Sequence, residues 1–203
     1  MGEFSSEQML RNRAELSQLS QSLSSIQRHS QMTESLFNII ELEQSSLEIH
    51  FYRANEKPFG VFSNLFKRSF SFEGVEYPTA EHAYQAGKAR KEAVRDWILN
   101  APSPALVAMA AHGLYTWDIA PNWSKIKFSR MKAVLIEKYS QNPDLAEILI
   151  STGDARLVES ATTDNLVNRT WGEVNGKGKN MLGILLMEVR SELKSEKISP
   201  LSK

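Results

Sequence analysis

Proline and glycine divide the chain. Of its 203 residues, the first 47 contain no proline and no glycine beyond Gly2, and are rich in Ser, Gln and Glu; after Leu47 both residues recur. A stretch without either helix breaker is the profile of one long helix or a helix pair. We therefore read residues 1–47 as a helical extension, 48–196 as the main domain and 197–203 as a disordered tail. Leu16, Leu19, Leu23 and Ile26 recur at spacings of three and four, and Phe37 and Ile40 resume that phase after Ser30 and Thr33. The seam resembles an a/d pattern, which suits a homodimer or a partner protein; an amphipathic helix folded back on the main domain gives the same pattern.

After the break, "LEIHFYR" alternates apolar and polar residues and predicts a strand, while "RSFSFEGVEY" predicts two short strands turning at Glu73-Gly74. The rest is mainly helical. Thr79 is placed as an N-cap, and helices are expected over "EAVRDWIL", "PALVAMAAHG", "NWSKIKFSRMKAVLIEKYS", "NPDLAEILIST" and "MLGILLMEVRSEL", with a short strand at "ARLVES". The predicted class is α+β, helix-dominated, with a small antiparallel sheet.

Charge and composition exclude several functions. Lys and Arg number 24 against 24 Asp and Glu, so the whole chain lacks the electrostatic footprint of a non-specific nucleic-acid binder, although a local basic patch is compatible with it. No cysteine means no disulfide, no thiolate metal site and no thiol nucleophile, which fits a cytoplasmic location. No apolar run reaches the length of a membrane span, so no membrane association is expected. The four histidines, at 29, 50, 82 and 112, have no metal-ligand spacing, and neither a metal nor a cofactor is predicted.

Two stretches carry candidate chemistry. In "PTAEHAYQAGKA", a helix starting after Thr79 puts Glu81, Gln85 and Lys88 at i, i+4 and i+7 on one face. That face is either a solvated surface or a reaction site, and His82 is either a structural hydrogen-bonding residue or a ligand-binding one. In "RTWGEVNGKGKNMLGILL", Gly172, Gly176 and Gly178 give a backbone that other groups can approach closely, and Asn180 stands where the last helix begins. Free N–H groups there, beside Lys177 and Lys179, suit a phosphate, and Trp171 offers a stacking surface. The spacing matches neither a Walker A loop nor a dinucleotide fingerprint, and a Gly-rich turn with a packed Trp is the other reading.

Taken in order, "GVFSNLF", "FEGVEYPTAEHAYQAGKA", "NWSKIKFSRM", "ILISTGDARLVES" and "TWGEVNGKGKNMLGILLMEVRSEL" resemble the motifs of the NADAR (NAD- and ADP-ribose-associated, also called YbiA-like) superfamily, over roughly residues 50–194. The resemblance implies hydrolysis of an N-glycosidic bond between ribose and an exocyclic amine of a heterocycle. Its substrates would be ADP-ribosylated guanine in nucleic acid, the first expectation, or a phosphoribosylated small molecule such as the aminopyrimidine intermediates of riboflavin synthesis. A non-catalytic ADP-ribose or nucleotide sensor is a further reading. Carried over by position, the resemblance makes Glu81 the acid or base, Lys88 a stabilising cation or nucleophile, and Glu159 a second carboxylate. Ser63, Asn64, His82, Gln85 and Asn180 would hold sugar or heterocycle, Trp123 and Trp171 would wall the site, and Gly172 and Lys179 belong to the proposed phosphate loop. The chain departs from the pattern where an arginine often precedes the "NW" block, here "YTWDIAPNW".

Overall fold

The computed structural model describes residues 47–198, with Gln27 and Gln31 as isolated positions before them. The helical seam of residues 1–46 therefore lies outside the described residues, as does the chain beyond 198. Residues 197 and 198, assigned from sequence to a disordered tail, belong instead to the closing helix.

The alternating strand forms as expected. Strand β1 (Glu48–Phe51) exposes Glu48 and His50 and buries Ile49 and Phe51. Its partner is a different matter: β1 pairs in parallel with β4 (Arg156–Glu159), in the register Ile49 to Leu157 and Phe51 to Glu159. A parallel pair needs a long crossover, and here more than 100 residues, mostly helical, intervene, so local pattern gave no sign of it. Antiparallel pairing is present in two hairpins. Strands β2 (Phe70–Phe72) and β3 (Val75–Tyr77) turn through Glu73 and Gly74, at φ 52° and 77°. Strands β5 (Glu173–Val174) and β6 (Lys177–Gly178) turn through Asn175 and Gly176, at φ 51° and 71°. Two consecutive positive φ angles are what a two-residue hairpin turn demands, and Gly supplies the second in each case.

Six helices follow the predicted order, α1 (Ala80–Ala86), α2 (Glu92–Leu99), α3 (Pro104–His112), α4 (Trp123–Ser140), α5 (Pro143–Ser151) and the last, α7 (Met181–Ile198), while a short α6 (Leu166–Trp171) precedes α7 without having been predicted. Helices α4, α5 and α7 close over the β1–β4 pair, around Phe51, Phe62, Leu135, Tyr139, Leu157 and Leu186. Helix α1 is held in the interior and every one of its seven residues is buried. At its start the Thr79 hydroxyl accepts from the His82 N–H at 3.3 Å. At its end Arg130 of α4 donates to the carbonyls of Ala83 and Tyr84, at 2.9 and 3.3 Å, and so satisfies acceptors that a helix terminus leaves free.

Candidate active site

Burying a seven-residue helix that carries Glu, Gln and His is costly unless those groups have a task or partners. Glu81 and Gln85 face a cavity of about 660 Å³, and the Gln85 amide donates to the Glu81 carboxylate at 2.8 Å. The solvated-face reading of this helix is thereby overturned: the exposure of Glu81 is 8% and that of Gln85 is 3%. Lys88 lies just past the helix end, lines the same cavity and donates through Nζ to the carbonyl of Ala111. Burial lowers its pKa, opposed by the attraction of Glu81.

From the opposite wall β4 delivers Glu159 into the cavity. Burial, and then the negative charge of Glu81, push its carboxyl up to about 7. Glu81 is also raised by burial, but the Gln85 hydrogen bond and the Lys88 charge oppose that shift. The environment thus separates two like groups: Glu81 has a donor and a cation to hold its charge, whereas nothing comparable opposes protonation of Glu159. The surroundings therefore favour the shared proton on Glu159 over Glu81. Because the two carboxyls interact, that proton belongs to the pair before it belongs to either residue.

The cavity also contains unsatisfied acceptors. Asn64 Oδ1 and Gln85 Oε1 are buried without a hydrogen-bond partner among the described residues. Such orphans are uncommon in a folded interior and fit ligand hydroxyl or amino donors. The backbone N–H of Glu81 donates to the Asn64 carbonyl at 3.0 Å, so the "FSN" segment and α1 are tied together. Ser63 lines the cavity, with its hydroxyl accepting from Leu65 N–H at 3.3 Å. Trp123 and Trp171 both contact Tyr84, with ring centroids 5.0 and 5.4 Å away, and form an aromatic wall.

Four of the residues singled out in the sequence are placed elsewhere. His82 projects from the other side of α1, where its Nδ1 lies 2.7 Å from the Thr79 hydroxyl. Gly172 is a close-approach glycine: a Cβ there would stand 2.2 Å from the Glu159 carbonyl oxygen. Asn180 is consumed by the framework, accepting from Glu159 N–H at 3.1 Å and donating to the Leu157 carbonyl at 2.7 Å. Lys179 is exposed and does not line the cavity. The Gly-rich stretch is therefore a hairpin and a helix–strand junction, and it forms no phosphate cradle in the cavity. Conversely, Arg53, Tyr84, His112 and Lys127 line the cavity and were not singled out. Tyr84 follows Glu81 by three and Lys127 follows Trp123 by four, spacings that could have revealed both; Arg53 and His112 carry no such signal. Loop residues between His112 and Ile119, both of which line the cavity, include Tyr115 and Trp117, stacked at 4.6 Å and each more than 60% exposed.

Comparison with known proteins fits this geometry. The NADAR domain model matches residues 50–194. The chain belongs to the NADAR family. Among its NADAR relatives is the N-glycosidase YbiA of Shigella flexneri, 37% identical over 150 residues, covering 73% of this chain and 90% of that protein. An N-glycosidase of Nostoc punctiforme is 32% identical, covering 73% and 94%. A riboflavin biosynthesis protein of Vibrio vulnificus is 33% identical over 71% of this chain, though the match spans only 38% of that longer protein. The NMR structure of Escherichia coli YbiA superposes with a TM-score of 0.69 at 34% identity, covering 77% of this chain and 90% of that one. Among the described residues no group of His, Asp and Glu is placed to hold a metal ion.

Proposed function

We propose that this NADAR protein is an N-glycosidase that hydrolyses the bond between a ribose anomeric carbon and an exocyclic amine of a heterocycle. The observation that carries this reading is the buried carboxyl of Glu81 and the half-buried carboxyl of Glu159 facing one cavity, in surroundings that favour the proton on Glu159. Cleavage of such a bond requires a proton on the departing nitrogen and a negative charge beside the anomeric carbon as it becomes cationic. Glu159, holding the proton, gives it to the amine nitrogen as the C–N bond breaks. Glu81, ionised, stabilises the positive carbon and takes a proton from the water that adds to it. The products are a free ribose hydroxyl and a free amine. Asn64 and Gln85 accept from the sugar hydroxyls, and the aromatic wall excludes bulk water.

The lowered pKa of Lys88 favours a second route at the same site. Burial raises the fraction of its amine that is neutral, and a neutral amine attacks the anomeric carbon as the heterocycle amine leaves with the proton of Glu159. The glycosyl-lysine then opens, its C1–O4′ bond breaking as the ring oxygen takes the proton released by the lysine nitrogen, to give an imine that water hydrolyses. Borohydride during turnover separates the routes. A mass increment on Lys88 establishes the imine, and an unmodified lysine establishes direct attack by water.

For the leaving group, we favour guanine bearing ADP-ribose. The exposed Tyr115–Trp117 stack beside the cavity offers a surface for a neighbouring nucleobase, and Arg53 and Lys127 supply cations at the cavity for phosphates. Phosphoribosylamino-pyrimidines are the alternative, suggested by relatives named for riboflavin synthesis. A paired hydrolysis assay with both substrates, each beside Glu81→Gln, tests the proposal. Release of ADP-ribose from modified DNA alone supports our reading, release of ribose 5-phosphate alone supports the alternative, and silence in both refutes the enzyme. Activity is expected to persist in EDTA.

A further inference from the structure

Helix α1 is a wall between two cavities. Glu81, Tyr84 and Gln85 line the first; Thr79 and His82 line a second, of about 600 Å³, which shares no lining residue with it. The far side of the second cavity is formed by Lys67, Arg68 and the proline-rich entry to α3 around Ser103. Nothing in the proposed reaction uses this space.

Its chemistry has one sign. Among the described residues no carboxylate lines it. Arg68 is engaged by Asp144 through both terminal nitrogens, at 2.9 and 2.7 Å, which offsets its charge. Lys67 is exposed and has no ion-pair partner among the described residues. His82 is 7% exposed, and its Nδ1 is hydrogen-bonded to the Thr79 hydroxyl. The Thr79 oxygen accepts from the His82 backbone N–H, and its hydroxyl hydrogen can be given to Nδ1 at 2.7 Å. In that arrangement the ring hydrogen sits on Nε2, which has no protein partner among the described residues. Burial lowers the His82 pKa and keeps the ring neutral, a donor without charge. A ring nitrogen open to the cavity without a protein partner, on a side chain otherwise buried, together with an unpaired ammonium and a space far larger than a water molecule, suits an oxyanion.

We propose that this second cavity is a binding site for a phosphate or phosphomonoester, held by the His82 Nε2–H and the Lys67 ammonium. The test is a titration with inorganic phosphate, followed through the imidazole nitrogen resonances of the full chain. His82 is expected to shift with saturation, and Lys67→Glu, a change at an exposed position, is expected to weaken the midpoint at least tenfold. Lys127→Glu, in the first cavity, should leave that midpoint in place. His82→Gln keeps a side-chain donor and should retain part of the affinity, whereas His82→Phe should lose it. Tighter binding of ribose 5-phosphate than of phosphate identifies a phosphomonoester site, and equal binding identifies a site for the free ion; both support the proposal. His82 resonances that stay fixed to high phosphate, or a midpoint indifferent to Lys67→Glu, would overturn it.

Discussion

Glu81 and Glu159 differ by a single donor and a single cation, and the division of labour between them follows. Replacing Glu81 with Gln preserves its shape and removes the negative charge beside the anomeric carbon. We expect turnover to fall by about 10²–10⁴-fold, with ligand affinity changed only modestly; single-turnover rates and calorimetric binding on the same preparation check this. As the proposed acid, Glu159 should set the upper limb of the pH profile. With its carboxyl at about 7, kcat/KM should decline above neutral pH, and the residual activity of Glu159→Gln should lack that limb. Stability has the matching dependence. Between 4.5 and about 7 the folded protein keeps a proton that the unfolded chain has released, so this contribution is complete below 4.5 and lost as pH rises through 7. The full difference is of order 3 kcal/mol. Above pH 7, Glu159→Gln should therefore be more stable than the parent, as urea midpoints at pH 5 and pH 8 will reveal.

At the scale of elements, β4 and α7 are joined by one side chain. Asn180, at φ 49° and 2% exposed, links the backbone of Leu157 and Glu159 to the start of α7. Truncation to Ala leaves a buried N–H and a buried carbonyl without partners, and about 2–5 kcal/mol of stability should be lost, measurable by chemical denaturation. Gly172→Ala should also destabilise, since the new methyl collides with the Glu159 carbonyl. This junction is also where sequence reasoning left two readings open. Glycines followed by Asn at a helix start look the same whether they cradle an anion or let two backbones meet; the deciding fact is the strand opposite, which is remote in sequence. By contrast the Thr79 cap, the hairpin turn at Glu73-Gly74 and the shared face of Glu81 and Gln85 are encoded within four residues, and all were legible. The parallel β1–β4 pair, which brings Glu159 to the cavity, was not, because no local pattern records a partner more than 100 residues away.

Across the whole molecule, α4 ties the cavity to the core. Its first half supplies Trp123, Lys127 and Met131 to the cavity, and near its end Lys138 is fully buried, donating to the Val61 carbonyl at 2.8 Å and more weakly to that of Ser63 at 3.4 Å. Lys138 therefore fixes the segment that presents Ser63 and Asn64. Burial, with Arg68 nearby, lowers its pKa to about 7. The sign is opposite to that of Glu159. Below pH 7 the lysine is charged in both states and the folded state carries the full cost of burying it. Between 7 and 10.5 the unfolded chain binds the extra proton, so stability rises with pH. Together these two groups give a fall in stability from acid to neutral pH and a recovery above it, with a trough close to 7. Urea unfolding at pH 5, 7 and 9 should trace that trough. Lys138→Met should abolish the recovery while leaving the acid-side fall, and should cost more at pH 9 than at pH 6, because only the neutral amine serves the two carbonyls without a burial penalty. A parent profile that declines steadily through pH 9, or a Lys138→Met profile parallel to it, would show that this lysine is not the group that recovers stability. Since the same segment carries Asn64, loss of the Lys138 tether should also raise KM at every pH, which separates its positioning role from its charge.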